Sequence, residues 1–367
     1  MQPGVPTEDL PQGLAAAFAG GAPLVEARPL GSGLIHRTCL CTYAVGGGDV
    51  RYVHQRINTR VFGDPAALME NIRRVTGHLR HRLSAQGVPD LERRVLTLVP
   101  AGDGAPFWRD PHGGCWRTYL YIAHARTHDV APDPAVARAA ARAYGAFVRA
   151  LADLPGPSLH ETIPGFHDTV ARRDALLRVV AADPVNRARN VRSEIDFILA
   201  RESTASALAS ARLPVRVVHN DTKINNVLFD ELSGQALCVL DLDTVMPGLV
   251  LHDFGDLARS AAAGPEDSAA GGLRLPYFQA LVEGYLEGAG DVLTAEELDR
   301  LALAPRVITL ELAMRFLTDD LAGDVYFKVA RERHNLERCR AQLRLLADME
   351  NAEQAMRDIV RPLRRDS

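Results

Sequence analysis

One segment near the middle of the chain concentrates polar side chains that could do chemistry. An apolar run at 215–218 leads into a short loop that carries Asp221, and Asn226 follows five residues later. After a turn at 233–234, a second apolar run ends on Asp241. Side chains at the ends of neighbouring strands commonly meet a ligand. The pattern therefore predicts two carboxylates and an amide gathered at one site.

These three side chains have the types that phosphoryl transfer needs. That reaction depends on positioning and on neutralising charge, with a carboxylate to accept the proton of the attacking hydroxyl. Asp221 is the predicted catalytic base. Asn226 and Asp241 offer the oxygen ligands that Mg²⁺ prefers, and the spacing of Asp221 and Asn226 is that of a kinase catalytic loop. The sequence thus predicts a kinase that uses ATP and Mg²⁺.

A second candidate for the metal ligand is the Asp-Phe-Gly tripeptide at 253–255, which has the letters of the kinase metal motif. It follows no predicted hairpin, whereas Asp241 ends a buried strand. We therefore assign the metal to Asp241, and we expect Asp253 and Asp256 to cap or brace the loop that leads into the next helix.

The elements that must position this site change in character along the chain. Alternating apolar residues predict strands in the first third, together with one amphipathic helix that begins at Pro65. Helical patterns dominate after Thr127. These are the predicted strands 25–30, 38–45, 50–57, 94–99 and 116–122, and the predicted helices 133–154, 172–180, 194–208, 277–286, 295–303 and 335–349. The expected fold is α+β, with a β-rich lobe at 1–122, a helical lobe at 123–367 and a surface loop at 261–272.

Composition narrows the class of protein. The 367 residues carry a net charge of −4, which gives no reason to expect nucleic acid or an acidic membrane as a partner. No secretory signal is visible, and no apolar run approaches the roughly 20 residues that span a bilayer. Five scattered cysteines indicate reduced thiols. We expect a soluble cytoplasmic enzyme, with a monomer favoured.

Several motifs resemble the aminoglycoside phosphotransferase and choline kinase-like superfamily, and most closely the N-acetylhexosamine 1-kinases. The resemblance covers nearly the whole chain. The quoted motifs are QRINTRVF at 55–62, MENIRRVTGHL at 69–79, TIPGFHDT at 162–169, HNDTKINNVLFD at 219–230, LDLDTVMPG at 240–248 and RFLTDDLAGDVYFK at 315–328. It implies a two-lobed protein-kinase-like fold and phosphorylation of the C1 hydroxyl of a hexosamine to give a sugar 1-phosphate.

The resemblance also implies binding residues. Those implied for the sugar are His36, Asn220, Asp221, Asp243, Arg315 and Tyr326. Residues predicted to contact the nucleotide are Gly31 and Gly33 in a glycine turn, Gln55 in the third strand, and Tyr121 and Ile122 in a hinge-like run.

One departure and two alternatives remain. The third strand has Gln55 or Arg56 where protein kinases carry a lysine for the phosphates. A kinase of the same superfamily acting on a cationic aminoglycoside or amino-alcohol is a second enzyme hypothesis. A nucleotide-binding regulatory module is the alternative without catalysis.

The basic residues are strongly biased toward arginine. Of the 42 basic residues only Lys223 and Lys328 are lysines, a bias that we attribute to genome composition.

Overall fold

The computed structural model describes residues 10–31, 35–263 and 272–363. Their contacts divide the chain into two compact units. The first comprises the ranges 1–125 and 154–163, and the second comprises 126–153 and 164–367.

An antiparallel sheet forms the frame of the first unit. Its strands are β1 Leu24–Pro29, β2 Arg37–Val45, β3 Gly48–Arg56, β4 Leu98–Val99, β5 Trp108–Arg109 and β6 Cys115–Leu120. The order is β1-β2-β3-β6-β4, and β5 pairs with β6. Helices α1 Leu14–Ala19, α2 Pro65–Ala85 and α3 Leu91–Arg94 complete the unit. Successive hairpins such as β2–β3 explain the antiparallel pairing that the glycine-punctuated sequence predicts.

Helix α2 begins where its sequence signals indicate. Pro65 occupies the first turn, and the Asp64 carboxylate accepts hydrogen bonds from the backbone N–H groups of Ala66 and Ala67. The predicted apolar stripe of this helix is buried; it consists of Leu68, Ile72, Val75 and Leu79. A buried Asn71 side chain pairs with both backbone groups of His160 at 2.8 and 2.9 Å. This amide pair ties the 154–163 segment to the first unit.

Helices dominate the second unit. They are α4 Pro134–Leu151, α5 Thr169–Ala182, α6 Arg192–Leu199, α7 Glu202–Ser206, α8 Val250–Ala261, α9 Leu275–Ala289, α10 Ala295–Arg300, α11 Ala304–Ala322, α12 His334–Asn351 and α13 Glu353–Val360. Short strands lie among them, namely β7 Ala125–Arg126, β8 Arg216–Val218, β9 Val227–Asp230, β10 Ala236–Val239 and β11 Met246–Gly248. Strand β9 lies between β10 and β7, and β11 pairs with β8.

Small residues let α4 and α9 pack backbone against backbone. A Cβ atom at Gly145 would meet Tyr285 O, and one at Gly284 or Gly288 would meet a carbonyl oxygen of α4. The surrounding core of the second unit is built from these two helices and from α8, whose Phe254 ring contacts Tyr285. The contact between Phe254 and Tyr285 packs α8 against α9. Helix α8 in turn holds the loop that follows β8.

The predicted elements agree with the structure except in a few places. The predicted strand at 94–99 is wrong at its start, because a short helix ends at Arg94 and only two residues pair as β4. The predicted helix at 194–208 is divided into α6 and α7. Helix α11 had no predicted bounds, because it is buried on most of its circumference and so lacks an amphipathic period. The predicted loop at 261–272 falls mainly outside the described residues.

Within the residues that the structure describes, no helix is both long enough and apolar enough to cross a membrane.

Candidate active site

His219 links the loop after β8 to the end of β10. Its Nε2–H group donates to Leu240 O at 2.8 Å, and its Nδ1 atom accepts from Asp221 N at 3.3 Å. The imidazole is fully buried and meets the rings of Tyr144 and Phe147 edge-on. His219 is therefore a structural bridge that holds the Asp221 backbone beside the strand leading to Asp241.

Asp253 braces the same loop from helix α8. Its carboxylate accepts hydrogen bonds from His219 N at 2.8 Å and from Asn220 N at 2.7 Å, while its carbonyl accepts one from the Thr222 hydroxyl. Burial raises the pKa of Asp253 to about 6. Asp256, one turn further along, forms a buried ion pair with Arg259 at 2.7 Å. Both carboxylate oxygens of Asp253 are thus occupied by the loop backbone.

Two residues of the site have left-handed backbone conformations. Asn220 has a φ of 65° and Asp241 a φ of 56°, values that are uncommon for residues other than glycine and that cluster at functional sites. Gly248 of β11 leaves room for the Asn220 side chain, since a Cβ atom there would lie 2.7 Å from Asn220 Oδ1. The Asn220 amide donates to Thr244 O at 2.9 Å. Asp243, in the turn before Thr244, is buried.

The Asp221 carboxylate lies between a cation and an amide. Lys223 Nζ is 2.6 Å from Asp221 Oδ1, and Asn226 Nδ2 donates to Asp221 O at 2.9 Å and lies 3.4 Å from Oδ2. Burial raises the pKa of Asp221, but the attraction of Lys223 outweighs it, so the pKa lies below its ordinary value. The side chain keeps 23% of its surface exposed. Asp221 is therefore an ionised carboxylate that a substrate hydroxyl can reach.

Asn226 and Asp241 offer oxygen donors of the kind that a hard cation prefers. Asn226 uses its Nδ2 group toward Asp221, which leaves its Oδ1 atom as the donor for a metal ion. Leu240 N donates to Asn226 O at 2.8 Å. Asp241 is the next residue in the chain. Across the described residues, no group of three or more His, Cys, Asp and Glu side chains could hold a metal ion unaided. Mg²⁺ is usually held by one or two carboxylates together with substrate phosphates, so the oxygen donors present fit this ion.

His167 connects the loop to helix α11. Its Nε2–H donates to Asn220 O at 2.8 Å and its Nδ1–H to Glu311 Oε1 at 2.9 Å, an arrangement that needs both ring protons. Burial lowers the pKa of His167, but the Glu311 carboxylate raises it above its ordinary value overall. Burial raises the pKa of Glu311, yet His167 and the Thr169 hydroxyl lower it to about 2. The result is a buried ion pair under the Asn220 carbonyl.

Arg315, one turn after Glu311 on α11, lies among aromatic rings. Its guanidinium carbon is 5.5 Å from the centre of the Phe166 ring and 5.6 Å from that of Phe327. Arg172 Nη2 donates to Phe166 O at 3.0 Å, so both arginines contact Phe166, and burial and then the charge of Arg315 lower the pKa of Arg172. Tyr326 is 63% exposed. The chain folds back at this point because the Asp319 carboxylate accepts three backbone hydrogen bonds, from residues 325, 326 and 327.

The remaining predicted contacts belong to the first unit. Gly31 has a φ of 76°, while Gly33 lies outside the described residues. Gln55 is held between Arg117 Nε at 2.9 Å and the Thr38 hydroxyl at 3.1 Å. Tyr121 packs under Arg51, and Ile122 is buried. His36 stacks on Phe62 and accepts a hydrogen bond from Asn58 N.

The second unit thus places Asn226 against Asp221, and it places Asp241 directly after Leu240, which is hydrogen-bonded to Asn226 and to His219. The joint role of these side chains at a metal ion stays a prediction. Sequence reasoning missed Lys223, His167, Glu311 and Arg117. Lys223 did leave a signal, because a lysine is rare in a chain whose other basic residues are almost all arginine. His167 stood inside a quoted motif but had no assigned role. Arg117, buried beside Gln55, is the cation on the strand face where the lysine was missing.

Comparison with known proteins bears on the family and the fold of the chain. A sequence profile described as the phosphotransferase enzyme family matches residues 26–301. A spectinomycin phosphotransferase solved with ADP and spectinomycin is similar, with a TM-score of 0.63 and 12% identity over 95% of this chain and 99% of that one. An aminoglycoside phosphotransferase from Alicyclobacillus acidocaldarius subsp. acidocaldarius DSM 446 gives 0.57 and 15%, over 96% of each chain. A choline/ethanolamine kinase family protein from Mesorhizobium loti gives 0.54 and 19%, over 95% and 97%. The likeness confirms the predicted α+β, protein-kinase-like fold.

Proposed function

Because the chain belongs to the phosphotransferase enzyme family, and so is a small-molecule phosphotransferase, we propose that it is an ATP- and Mg²⁺-dependent anomeric sugar kinase. Its acceptor is the C1 hydroxyl of an N-acetylhexosamine such as N-acetylglucosamine or N-acetylgalactosamine, or of a related hexose. The product is a sugar 1-phosphate.

Asp221 takes the role of general base. Its carboxylate accepts the proton of the C1 hydroxyl as the sugar oxygen forms a bond to the γ-phosphorus. The bond from that phosphorus to the bridging oxygen breaks, and ADP leaves with the electron pair. Lys223 holds Asp221 ionised and in place, and its charge lies beside the oxygen where negative charge develops. The loop needs no rearrangement for this role, since His219 and Asp253 already fix its backbone.

Asn226 Oδ1 and the Asp241 carboxylate would hold Mg²⁺. When bound, the ion neutralises charge on the β- and γ-phosphates. The contacts that the sequence predicts for the first unit stay predictions. They are the nucleotide contacts of Gly31, Gly33, Gln55, Tyr121 and Ile122, and the sugar contact of His36.

The charge around Arg315 supports a sugar over a cationic acceptor. Arg315 and Arg172 both contact Phe166, and the oxygens of the buried Glu311 carboxylate beside them already accept from His167 and the Thr169 hydroxyl. A protonated amine placed against Phe166 would meet two guanidinium groups and no available oxygen of Glu311. This is the observation that carries the choice of acceptor.

The second candidate is a kinase of cationic aminoglycosides or amino-alcohols. Its support is the fold, since structures of the same fold include phosphotransferases solved with such compounds or described as acting on them. Those likenesses are below 20% identity and support the fold more than the acceptor. We therefore rank this function second.

A panel of acceptors separates the two candidates. The purified chain is incubated with ATP, Mg²⁺ and either N-acetylhexosamines, aminoglycosides or amino-alcohols, and ADP release is followed. The proposal expects ADP only with sugars, a phosphorus NMR signal of an anomeric phosphate, and loss of the reducing end in step with ADP. A phosphorylated sugar that still reduces would refute the C1 assignment. ADP release with aminoglycosides alone would support the second candidate.

A further inference from the structure

Two half-buried arginines of the second unit have donors that the protein does not use. Arg315 makes no hydrogen bond or ion pair with any residue that the structure describes, and only its ring contacts with Phe166 and Phe327 hold it. Arg172 donates through one nitrogen to the carbonyls of Gly165 and Phe166, and its buried Nε–H has no acceptor among those same described residues. Both side chains therefore have N–H groups that could donate to a ligand bound beside Phe166.

Several other half-buried arginines of this unit are neutralised, whereas Arg274 donates only to backbone carbonyls and stacks on Tyr277. Arg187 contacts Asp324 at 2.8 Å, Arg201 contacts Glu350 at 2.7 Å and Arg216 contacts Glu297 at 3.1 Å. Placing two guanidinium groups close together without such a partner costs free energy through desolvation and repulsion. A bound anion would remove that cost, because guanidinium groups match carboxylate oxygens in geometry and charge.

Two carboxylates act on Arg172, those of Glu311 and Asp168, and each is engaged elsewhere. Asp168 caps helix α5 by accepting from Ala171 N at 2.9 Å. Glu311 influences both arginines, but one of its oxygens accepts from His167 and the other from the Thr169 hydroxyl at 2.6 Å. His167 also cancels its charge. The arginines consequently keep their positive charge next to the loop that carries Asp221.

We propose that Arg172 and Arg315 form an anion subsite of the acceptor, so that the preferred substrate is an acidic amino sugar, an N-acetylhexosamine that also bears a carboxylate. This inference rests on the proposed function, since it takes the acceptor to be a sugar phosphorylated at C1. Phosphoryl transfer itself is unchanged: Asp221 accepts the C1 proton while the carboxylate stays ionised against the arginines.

Matched acceptors test the subsite. N-acetylglucosamine is compared with N-acetylmuramic acid, which carries a lactyl carboxylate at C3, and with N-acetylglucosaminuronic acid, which carries one at C6. We expect kcat/KM for one of the two acids to exceed that of the neutral sugar by about tenfold or more, the effect of a charge-assisted hydrogen bond. The acid that is preferred identifies the ring position that faces the arginines.

Substitutions then locate the effect. Arg172→Gln and Arg315→Gln should each lower the ratio of acidic to neutral kcat/KM by about tenfold, and Arg172→Lys should restore part of it. Arg173→Gln is the matched control: the adjacent residue on α5 is paired with Asp174 and Glu202, and its loss should leave the ratio unchanged. Equal use of acidic and neutral sugars by the unaltered chain, or an unchanged ratio in the Arg172 and Arg315 variants, would overturn the subsite.

Binding distinguishes this failure from failure of the proposed function. Calorimetry with a non-hydrolysable ATP analogue and each sugar measures the preference without turnover. Preferential binding of an acidic sugar that is never phosphorylated would keep the subsite and reject the C1 kinase. Phosphorylation of neutral sugars at C1 with no preference for acidic sugars would keep the C1 kinase and reject the subsite.

Discussion

At the scale of single residues, Asp221 depends on neighbours that are close in the chain. Lys223 and Asn226 follow it within one short loop, and both contact it directly. Local spacing indicated the pair of Asp221 and Asn226, whereas Lys223 was missed although it is just as near in the chain. The ion pair of His167 and Glu311 was not predictable, because its members are 144 positions apart and nothing local in either segment indicates the other.

Replacing Asp221 by Asn should remove the proton acceptor and retain the shape of the loop. We expect kcat to fall by about 10²- to 10⁴-fold, the usual contribution of a general base. Nucleotide binding, measured by calorimetry, should persist. Asp196→Asn, an exposed change on α6, serves as the control and should leave kcat as it is. Turnover of the Asp221 variant at the unaltered rate would contradict its role.

At the scale of elements, the site depends on how helices α8 and α11 reach the loop after β8. Asp253 and Glu311 are buried carboxylates on these helices, and each accepts hydrogen bonds that fix loop or linker residues. The sequence predicted helices such as α4, α9 and α12, and it gave no bounds for α8, α11 or α13. For α11 the reason is physical, because a helix surrounded by apolar neighbours has no polar face to mark its period.

The Glu311 pair should make stability depend on pH. The pKa of Glu311 is lowered from about 4.5 in the unfolded chain to about 2, so its stabilisation is present above pH 4.5 and is lost as pH falls toward 2. The raised pKa of His167 makes its own share full below about pH 6.5, with loss as pH rises through the folded value. Urea unfolding should therefore show Glu311→Gln destabilised most between about pH 4.5 and 6.5, by roughly 3 kcal/mol. A difference that stays constant down to pH 2 would contradict the ion pair.

The contact of α4 with α9 predicts opposite effects for the same substitution. Gly145→Ala forces a Cβ atom against Tyr285 O and Ala289 N, so we expect a loss of about 2 kcal/mol or more, despite the better helix propensity of alanine. Gly77→Ala in α2 meets no atom within 4 Å and should instead stabilise by up to about 1 kcal/mol. Chemical denaturation of both variants measures the two values. Equal changes in the free energy of unfolding for the two variants would mean that helix propensity alone determines the effect and that the contact of α4 with α9 contributes nothing.

At the scale of the whole molecule, average properties conceal local ones. The chain carries a net charge of −4, yet Arg172 and Arg315 place two guanidinium groups against Phe166. Net charge alone gives no information about the class of acceptor. What the fold adds is proximity, since Arg172 and Arg315 come from separate helices of the second unit.

The cysteines give a further property of the folded chain as a whole. All five are free and buried. We expect Ellman's reagent to label no thiol rapidly under native conditions and all five in denaturant, because burial blocks access and raises the pKa of Cys339 well above its ordinary value. Fast labelling of any thiol in the folded protein would contradict the packing around it.

The contact of Lys223 with Asp221 also offers a way to observe the active centre before any substrate is known. Only two side-chain amines exist in the chain, so an acylating ester has two lysine targets, which peptide mass spectrometry can tell apart. Burial lowers the pKa of Lys223, but Asp221 raises it above the ordinary value overall, which leaves less of the reactive neutral amine than an ordinary lysine has. A compound that occupies the site will change the acylation rate at Lys223 and leave that at Lys328 as an internal reference.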